Sequence, residues 1–463
     1  MSEEIGFTLN GRAEVARDVD PHTTLLSYLR QRGLTGAKEG CAEGECGACA
    51  VAVVRPGASG RARYEAVNAC LWLMPAVAGA ELYTVEGISP AGPAVLHPVA
   101  RALAQHGGSQ CGYCTPGFVV SMFCHYYASP RGPVEQALSG NLCRCTGYRP
   151  IRDAARTLAE PAREDAFAAR LARALPMPAP TTYRAAGVHF ERPTRLDDAL
   201  RLRAADPGAQ LVAGGTDVVV ELNQTHTRRA RFIALDAVAE LACFEQTDSE
   251  LVLGAGLSLL DLQERLAGAV PLIEQLFPLF ASLPIRARAT LGGNLVTASP
   301  VGDGAPVLLA LDAEVELASM RGSRRLPLSQ FFTGYRSTAL APDELLLAVR
   351  LPRRLPTHAR FFKVAKRMVD DISTVSAAFA LWIEGGVIER ARLAFGGVAS
   401  TPVRALAAED SLTGQPWDER ALTAAQAAAR SAFSPIDDFR GSAAYRAAMV
   451  ERLLQKFFVE TCA

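Results

Sequence analysis

The 463-residue sequence has no run of 18 or more apolar residues, so no transmembrane helix is expected. Its opening residues, Met1-Ser2-Glu3-Glu4, are acidic and lack the apolar core of a secretory signal. Neither sign of charge is in excess, 48 Lys and Arg facing 48 Asp and Glu. That balance gives no pointer to a nucleic acid or an anionic membrane as partner. No G-x-G-x-x-G occurs, which argues against a dinucleotide site of the usual Rossmann kind. What is present is a hydrophobic content of 49%, ample for ordinary cores, and a length that corresponds to about three domains.

Cysteine placement is the most informative feature. Eight of the eleven cysteines form two sets of four before residue 146. Cys41, Cys46, Cys49 and Cys70 read C-x4-C-x2-C-x20-C, and Cys111, Cys114, Cys143 and Cys145 read C-x2-C-x28-C-x-C. A [2Fe-2S] cluster needs four converging thiolates, and the first run is the plant-type ferredoxin spacing. Gly40, Gly44 and Gly47 allow the sharp turns with which a loop points N–H groups at sulfur. In the second set, Pro116 suits the first turn of a helix over Phe118–Phe123. Gly140 and Gly147 flank the C-x-C pair, which needs an irregular turn. Two one-electron carriers in series predict an electron-transfer function. A C-x2-C pair also serves structural zinc, so zinc remains open for either tetrad taken singly. A disulfide framework lacks the secretory context it needs, and free cysteines fit a reducing cytoplasm. Cys124, Cys243 and Cys462 read as small apolar or surface residues without a role.

The chain changes character along its length. Ile5–Leu9 reads as a strand, Asn10-Gly11 as a hairpin turn, Thr24–Leu29 as a helix and Val51–Val54 as a strand, a small β-grasp-like arrangement. Residues 93–160 are expected to be mostly helical, with Val95, Val99, Ala102 and Leu103 on one face. The proline-rich stretch 174–182 reads as an extended linker. Residues 185–345 read as mixed α/β and 350–463 as a final α/β part. The closing helix carries Tyr445, Met449, Leu453 and Phe457 at four-residue spacing, a core or packing stripe.

Two glycine loops stand out in the middle segment. Leu211-Val212-Ala213-Gly214-Gly215-Thr216-Asp217-Val218 reads as a buried strand, a turn and a helix start, and its amides can cradle a phosphate. Thr290-Leu291-Gly292-Gly293-Asn294, followed by Asp303, offers glycines and hydroxyl and amide donors. Each alone is a weak signal, since glycine is a common turn residue.

Together these stretches resemble a known family. Residues 5–460 resemble the iron–sulfur/FAD small subunits of bacterial xanthine dehydrogenases, in the molybdenum hydroxylase family. The resemblance rests on Glu39–Cys49, Gln110–Gly117, Gly140–Pro150 and Leu291–Pro300. It implies an α/β multidomain fold: a plant-type ferredoxin domain over 1–85, an all-helical [2Fe-2S] domain over 86–160 and a linker over 161–184. A two-part α+β FAD-binding domain over 185–348 and a C-terminal α/β flavoprotein domain over 349–463 would follow. It also implies two [2Fe-2S] clusters, FAD, NAD as acceptor, and a molybdopterin-binding large subunit in a two-plus-two heterotetramer. Electrons from hypoxanthine or xanthine would pass through the Cys111/Cys114/Cys143/Cys145 cluster, then the plant-type cluster, to flavin.

Carried over residue by residue, Leu211 through Val218 would hold the pyrophosphate and ribityl chain. Thr290, Leu291, Gly292, Gly293 and Asn294 would form a second phosphate loop, with Asp303 close by. Phe280 would face the isoalloxazine, Leu346 would line its pocket, and Lys363 would favour an anionic reduced ring. Asp370, Asp371 and Tyr335 correspond to where the family receives nicotinamide, although an Asp-Asp pair is also an ordinary solvated turn. No stretch is long enough for a molybdopterin domain, so substrate chemistry is expected on another chain. A related aldehyde or N-heterocycle hydroxylase with another acceptor, and a ferredoxin-like carrier without flavin, remain alternatives. Fusion of both cluster domains with the flavin domain favours the xanthine dehydrogenase type.

Overall fold

The computed structural model describes residues 4–89, 95–162, 164–173, 175 and 180–462. By contact the chain divides into two units. One comprises Met1–Ala239, Ser258–Glu264 and Ala281–Ala289, the other Glu240–Leu257, Arg265–Phe280 and Thr290–Ala463.

The first unit opens with the hairpin β1 (Glu4–Leu9) and β2 (Arg12–Arg17). Asn10 and Gly11 close it at φ 53° and 77°, as a tight primed turn requires. Helix α1 (Leu25–Gln31) starts at Thr24, whose hydroxyl accepts the Ser27 N–H. Strands β3 (Ala50–Pro56), β4 (Ala62–Asn68) and β5 (Glu81–Tyr83) complete a sheet ordered β2-β1-β5-β3-β4, with β1 and β5 parallel, as a β-grasp requires. The first five residues of β3, Ala-Val-Ala-Val-Val, are all buried. Val51 and Val53 enter a core with Ile5, Phe7 and Leu26, while Ala50, Ala52 and Val54 enter another with Val99, Phe118 and Phe123. A strand covered on both faces reads as a continuous apolar run.

The second of those cores belongs to the helical segment: α2 (Val85–Ile88), α3 (Pro98–Gln105), α4 (Thr115–Tyr126), α5 (Val134–Leu138) and α6 (Arg149–Arg156). Val95 does not share the expected face. It precedes α3, which starts at Pro98, and is 59% exposed. The expected linker 161–184 is corrected too. It contains α7 (Ala166–Leu171), capped by Asp165, whose carboxylate accepts the Phe167 and Ala168 N–H groups. Phe167 packs edge-on against Phe123 and Tyr64, so aromatic burial anchors this turn despite the prolines nearby. Residues 163, 174 and 176–179 of the linker lie outside the described residues. Strand β6 (Thr181–Ala185) already occupies its end.

Strands β6, β7 (Val188–Arg192), β8 (Gln210–Val212) and β9 (Arg231–Ala234), with helices α8 (Leu196–Ala205) and α9 (Val218–Thr225), form a second sheet in the order β6-β7-β9-β8. Its Tyr183, Phe190, Val212 and Phe232 join the core that holds Val51 and Val53.

In the second unit, β10 (Phe244–Gln246) and β11 (Glu250–Gly254) begin an antiparallel sheet. Short helices α11 (Pro271–Glu274), α13 (Leu291–Val296) and α14 (Gly304–Ala310) follow, while α10 (Leu259–Leu266) for the most part and α12 (Leu283–Arg286) belong to the first unit. Strands β12 (Glu314–Ser319) and β13 (Gly322–Pro327) extend the sheet, and β14 (Phe332–Gly334) pairs with β15 (Ser337–Thr338). Strand β16 (Leu345–Pro352) lies between β11 and β12. A boundary at 348 would therefore cut a strand. A four-stranded antiparallel sheet follows: β17 (His358–Val364), β18 (Val375–Glu384), β19 (Val387–Gly396) and β20 (Val403–Arg404). Helices α15 (Leu406–Leu412), α16 (Glu419–Arg430) and α17 (Ala443–Cys462) complete the chain.

The expected stripe on α17 is half right. Leu453 and Phe457 are buried, but Tyr445 is 45% exposed, and the inner face runs Arg446, Val450, Leu453, Leu454 and Phe457. A strict four-residue step advances about 40° past a full turn each time, so it drifts off one face within three steps. Among the described residues no helix is long and apolar enough to cross a membrane.

Candidate functional site

The first tetrad sits where the loop after α1 meets β3 and the turn after β4. Cys41 and Cys46 lie in the loop, Cys49 precedes β3, and Cys70 lies in the 3-10 turn Ala69–Leu71. The Cys41 sulfur accepts the N–H groups of Glu43 and Cys46, both at 3.4 Å. The glycines make this approach possible. A Cβ on Gly40 would stand 2.8 Å from the Cys46 sulfur, and Gly44 and Gly47 hold φ of 84° and 64°. Asn68, fully buried, donates from Nδ2 to the Gly44 carbonyl at 2.6 Å and brings Oδ1 to 4.0 Å from the Cys49 sulfur.

The second tetrad is built from helix starts. Cys114 caps α4, with Pro116 in its first turn. Cys143 and Cys145 lie in an irregular turn that ends at Tyr148, in the left-handed region at φ 67°, before α6. Cys143 Sγ lies 3.1 Å from the Thr146 hydroxyl and accepts the Thr146 N–H at 3.4 Å.

In both tetrads the thiols shift one another's acidity in pairs: Cys41 with Cys46, Cys49 with Cys70, Cys111 with Cys145 and Cys114 with Cys143. Hydrogen bonding from Cys46, aided by loop amides, draws the Cys41 thiol down to about 5, and Cys46 is pushed up in return. The Cys70 side chain likewise lowers Cys49 and is itself raised. The Tyr113 N–H and Cys145 lower Cys111, whose own hydrogen bond raises Cys145. Burial and the bond to Cys143 push Cys114 up to about 12. Burial pushes Cys143 up, but the Thr146 hydroxyl and loop amides outweigh it and lower the thiol. A [2Fe-2S] rhomb takes four thiolates, two on each iron, and each set supplies four cysteines.

The two tetrad loops touch through main chain. The Leu142 N–H, next to Cys143, donates to the Cys46 carbonyl at 3.0 Å. A Cβ on Gly47 would overlap the Gly140 carbonyl oxygen, and one on Gly117 the Gly47 carbonyl oxygen. Tyr113 also donates its hydroxyl to the Glu39 carbonyl.

Of the candidate flavin residues, Leu211 through Val218 lie in the first unit. Leu211 and Val212 are in β8, Ala213 through Asp217 form the turn, and Val218 opens α9. A Cβ on Gly214 would overlap the Arg288 carbonyl oxygen, and Gly215 has φ 80°, so the turn requires both glycines. The N–H groups of Gly215 and Thr216 donate to no acceptor among the described residues. They suit an anionic ligand. Behind the turn, Arg288 is buried over the Trp72 ring at 4.6 Å and donates Nε to the Gly214 carbonyl at 3.3 Å. Burial lowers its pKa to about 10.

The remaining candidates lie in the second unit. Thr290 through Asn294 form a helix start, not a loop. Thr290 caps α13 by accepting the Gly293 N–H. Leu291 and Gly292 donate to the Leu257 and Ala255 carbonyls, and Asn294 to that of Thr290. With these amides engaged, a phosphate contact here falls to side chains. Phe280 is half-buried, and Leu346 lies buried in β16.

Lys363, expected beside the flavin, is ion-paired. Its Nζ donates to Asp303 Oδ2 at 2.8 Å and the Leu279 carbonyl at 2.9 Å, and Ser373 donates to Asp303 Oδ1 at 2.6 Å. With the pair almost wholly buried, the carboxylate neutralises the ammonium. Asp371 caps its own turn, accepting the Arg367 and Ile372 N–H groups, and Tyr335 is exposed.

Asn68 and Arg288 were not singled out from sequence. Asn68 had one available signal, a polar residue closing an apolar strand two positions before a cysteine of the set.

Four family models match the chain. Residues 7–74 match a 2Fe-2S iron-sulfur cluster binding domain, and 84–156 a [2Fe-2S] binding domain. Residues 185–354 match the FAD binding domain in molybdopterin dehydrogenase, and 360–461 the CO dehydrogenase flavoprotein C-terminal domain. The chain is 34% identical to xanthine dehydrogenase of Emericella nidulans, over 90% of this chain and 36% of that protein. It thus spans little more than a third of the length of the curated relatives it matches. Among solved structures, a carbon monoxide dehydrogenase chain from Hydrogenophaga pseudoflava superposes with TM-score 0.55 at 27% identity, over 58% of this chain and 94% of that one. A quinoline 2-oxidoreductase chain from Pseudomonas putida 86 gives 0.54 at 28%, over 58% and 95%.

Proposed function

Because the chain belongs to the molybdenum hydroxylase family, as its iron–sulfur and flavin portion, we propose that it is the electron-transfer and NAD-reducing subunit of a xanthine dehydrogenase. Its partner is a molybdopterin-binding chain that oxidises hypoxanthine and xanthine to urate, assembled two plus two. The clusters supply one-electron carriers, and FAD the two-electron junction with NAD.

The protein's own part is to hold and insulate these groups. Cys41, Cys46, Cys49 and Cys70 hold one cluster, and Cys111, Cys114, Cys143 and Cys145 the other. The Gly215 and Thr216 amides receive a flavin phosphate, with Phe280, Leu346, Asp303 and Lys363 assigned to the flavin by the family correspondence. The observation that carries this reading is the placement of eight cysteines on two abutting loops whose amides point at the Cys41 and Cys143 sulfurs. Cys111 and Cys145 are exposed beside Tyr113, Leu142 and Tyr148, a suitable surface for the molybdopterin chain.

An anaerobic absorbance titration of the chain with NADH tests the proposal. Bleaching across the flavin and iron–sulfur bands is expected. If dithionite bleaches the bands and NADH does not, the acceptor is not NAD. The second reading, a hydroxylase of another substrate class with another acceptor, then leads. The likeness to the carbon monoxide and quinoline enzymes favours that alternative.

A further inference from the structure

Helix α9 begins at the glycine turn, and the Val219 N–H donates to the Gly215 carbonyl at 2.9 Å. Asn223, five residues on from the helix start at Val218, stands about 7.5 Å further along the helix axis. It reaches the first cysteine tetrad. Its Nδ2 donates to the Ala42 carbonyl at 2.9 Å and the Cys70 carbonyl at 3.0 Å, which uses both amide hydrogens. These acceptors come from the two ends of the tetrad, one beside Cys41 and the other on the distant fourth cysteine.

The Ala42 carbonyl belongs to the same peptide unit as the Glu43 N–H. That N–H points at the Cys41 sulfur at 3.4 Å. Asn223 thus grips one end of a peptide whose other end donates to a cluster thiolate. The peptide needs holding, since Ala42 sits in the left-handed region at φ 58°, which a residue with a Cβ enters only under constraint. Polarising the carbonyl also strengthens the donor at the other end. The neighbouring residues fasten the same surfaces. Gln224 donates to Glu43 Oε1 at 2.7 Å, Arg228 to Asp20 at 2.6 Å, and the Arg229 N–H to His22 Nε2 at 2.9 Å.

We propose that Asn223 is a positioning residue that aims the Ala42–Glu43 peptide at the Cys41 sulfur, and so sets the reduction potential of the cluster held by that tetrad. This rests on the iron–sulfur reading above. Donors to a cluster sulfur stabilise the reduced, more negative state. Loss of one hydrogen bond to a charged sulfur is expected to change the oxidised-to-reduced ratio at fixed potential about tenfold. For a one-electron couple this is a shift of about 59 mV to lower potential.

The test is a redox titration of the full-length protein followed by electron paramagnetic resonance. It compares wild type with Asn223→Ala, the near-isosteric Asn223→Asp, and Gln224→Ala, which leaves the peptide's hydrogen bonds in place. The expected result is a lowered midpoint for one cluster signal in both Asn223 variants. The other signal, the iron and flavin contents, and the Gln224 variant should stay as in wild type. Unshifted midpoints with full iron content overturn it, as does equal loss of both signals, which would mark a general folding defect. Wild type lacking two cluster signals would instead overturn the iron–sulfur reading itself.

Discussion

At the scale of the residue, chemistry that needs fixed spacing is legible and chemistry that needs a distant partner is not. The eight cysteines announce themselves because irons impose a spacing on their ligands. Lys363 does not announce that Asp303, sixty positions earlier, will neutralise it, because only the approach of β17 to the start of α14 makes that pair. The consequence can be measured. Removing one member of a buried pair strands the other charge and typically costs about 3–5 kcal/mol. Asp303→Asn should lower the unfolding temperature markedly. Adding Lys363→Met should restore most of the loss, since an uncharged pair of similar volume carries no stranded ion. Thermal melts of the two variants side by side decide the point. A double variant no more stable than the single one would mean that Asp303 matters chiefly through Ser373.

At the scale of the element, the apolar run of β3, the Asn-Gly hairpin and the helix read over Thr24–Leu29 were readable because propensity and burial agree there, although Thr24 itself caps that helix. Helix α13 was not. Two adjacent glycines suggest a loop, yet the Thr290 cap and the Ala255 carbonyl, which accepts the Gly292 N–H, make them a helix start. Helix α7 was hidden by nearby prolines, and its aromatic anchor comes from residues far away in sequence. On α17 the spacing was read with too rigid a period. Phe457→Ala should cost about 3–5 kcal/mol by emptying a filled core position, whereas Tyr445→Ala should fall within about 0.5 kcal/mol of wild type, as surface changes do. Denaturation of the two variants separates the inner face from the outer.

At the scale of the whole molecule, the expected partition into successive domains follows the order of the elements but not the cores. Residues 5–85 and 181–235 share one core, and the other face of β3 belongs to the helices of residues 85–175. No sequence pattern reveals that sharing, because a doubly covered strand looks the same whatever covers it. A fragment of residues 1–85 would therefore expose Ala52, Val54, Tyr64 and Tyr83. It is expected to aggregate or stay unfolded where the full chain is monodisperse. Size-exclusion chromatography of the two would show this, and a soluble, folded fragment would contradict it.

The bridge between the two tetrads is a peptide hydrogen bond, from the Leu142 amide to the Cys46 carbonyl, and every residue except proline possesses those groups. Mutational scanning that trims side chains would reach this junction only through Tyr113 and Asn141, which donate to the Glu39 and Gly47 carbonyls, and would leave the peptide bond itself in place. Enlargement at Gly47 or Gly117 would wedge the two loops apart. Among relatives this junction can therefore persist under extensive sequence drift, provided that its smallest residues are left alone.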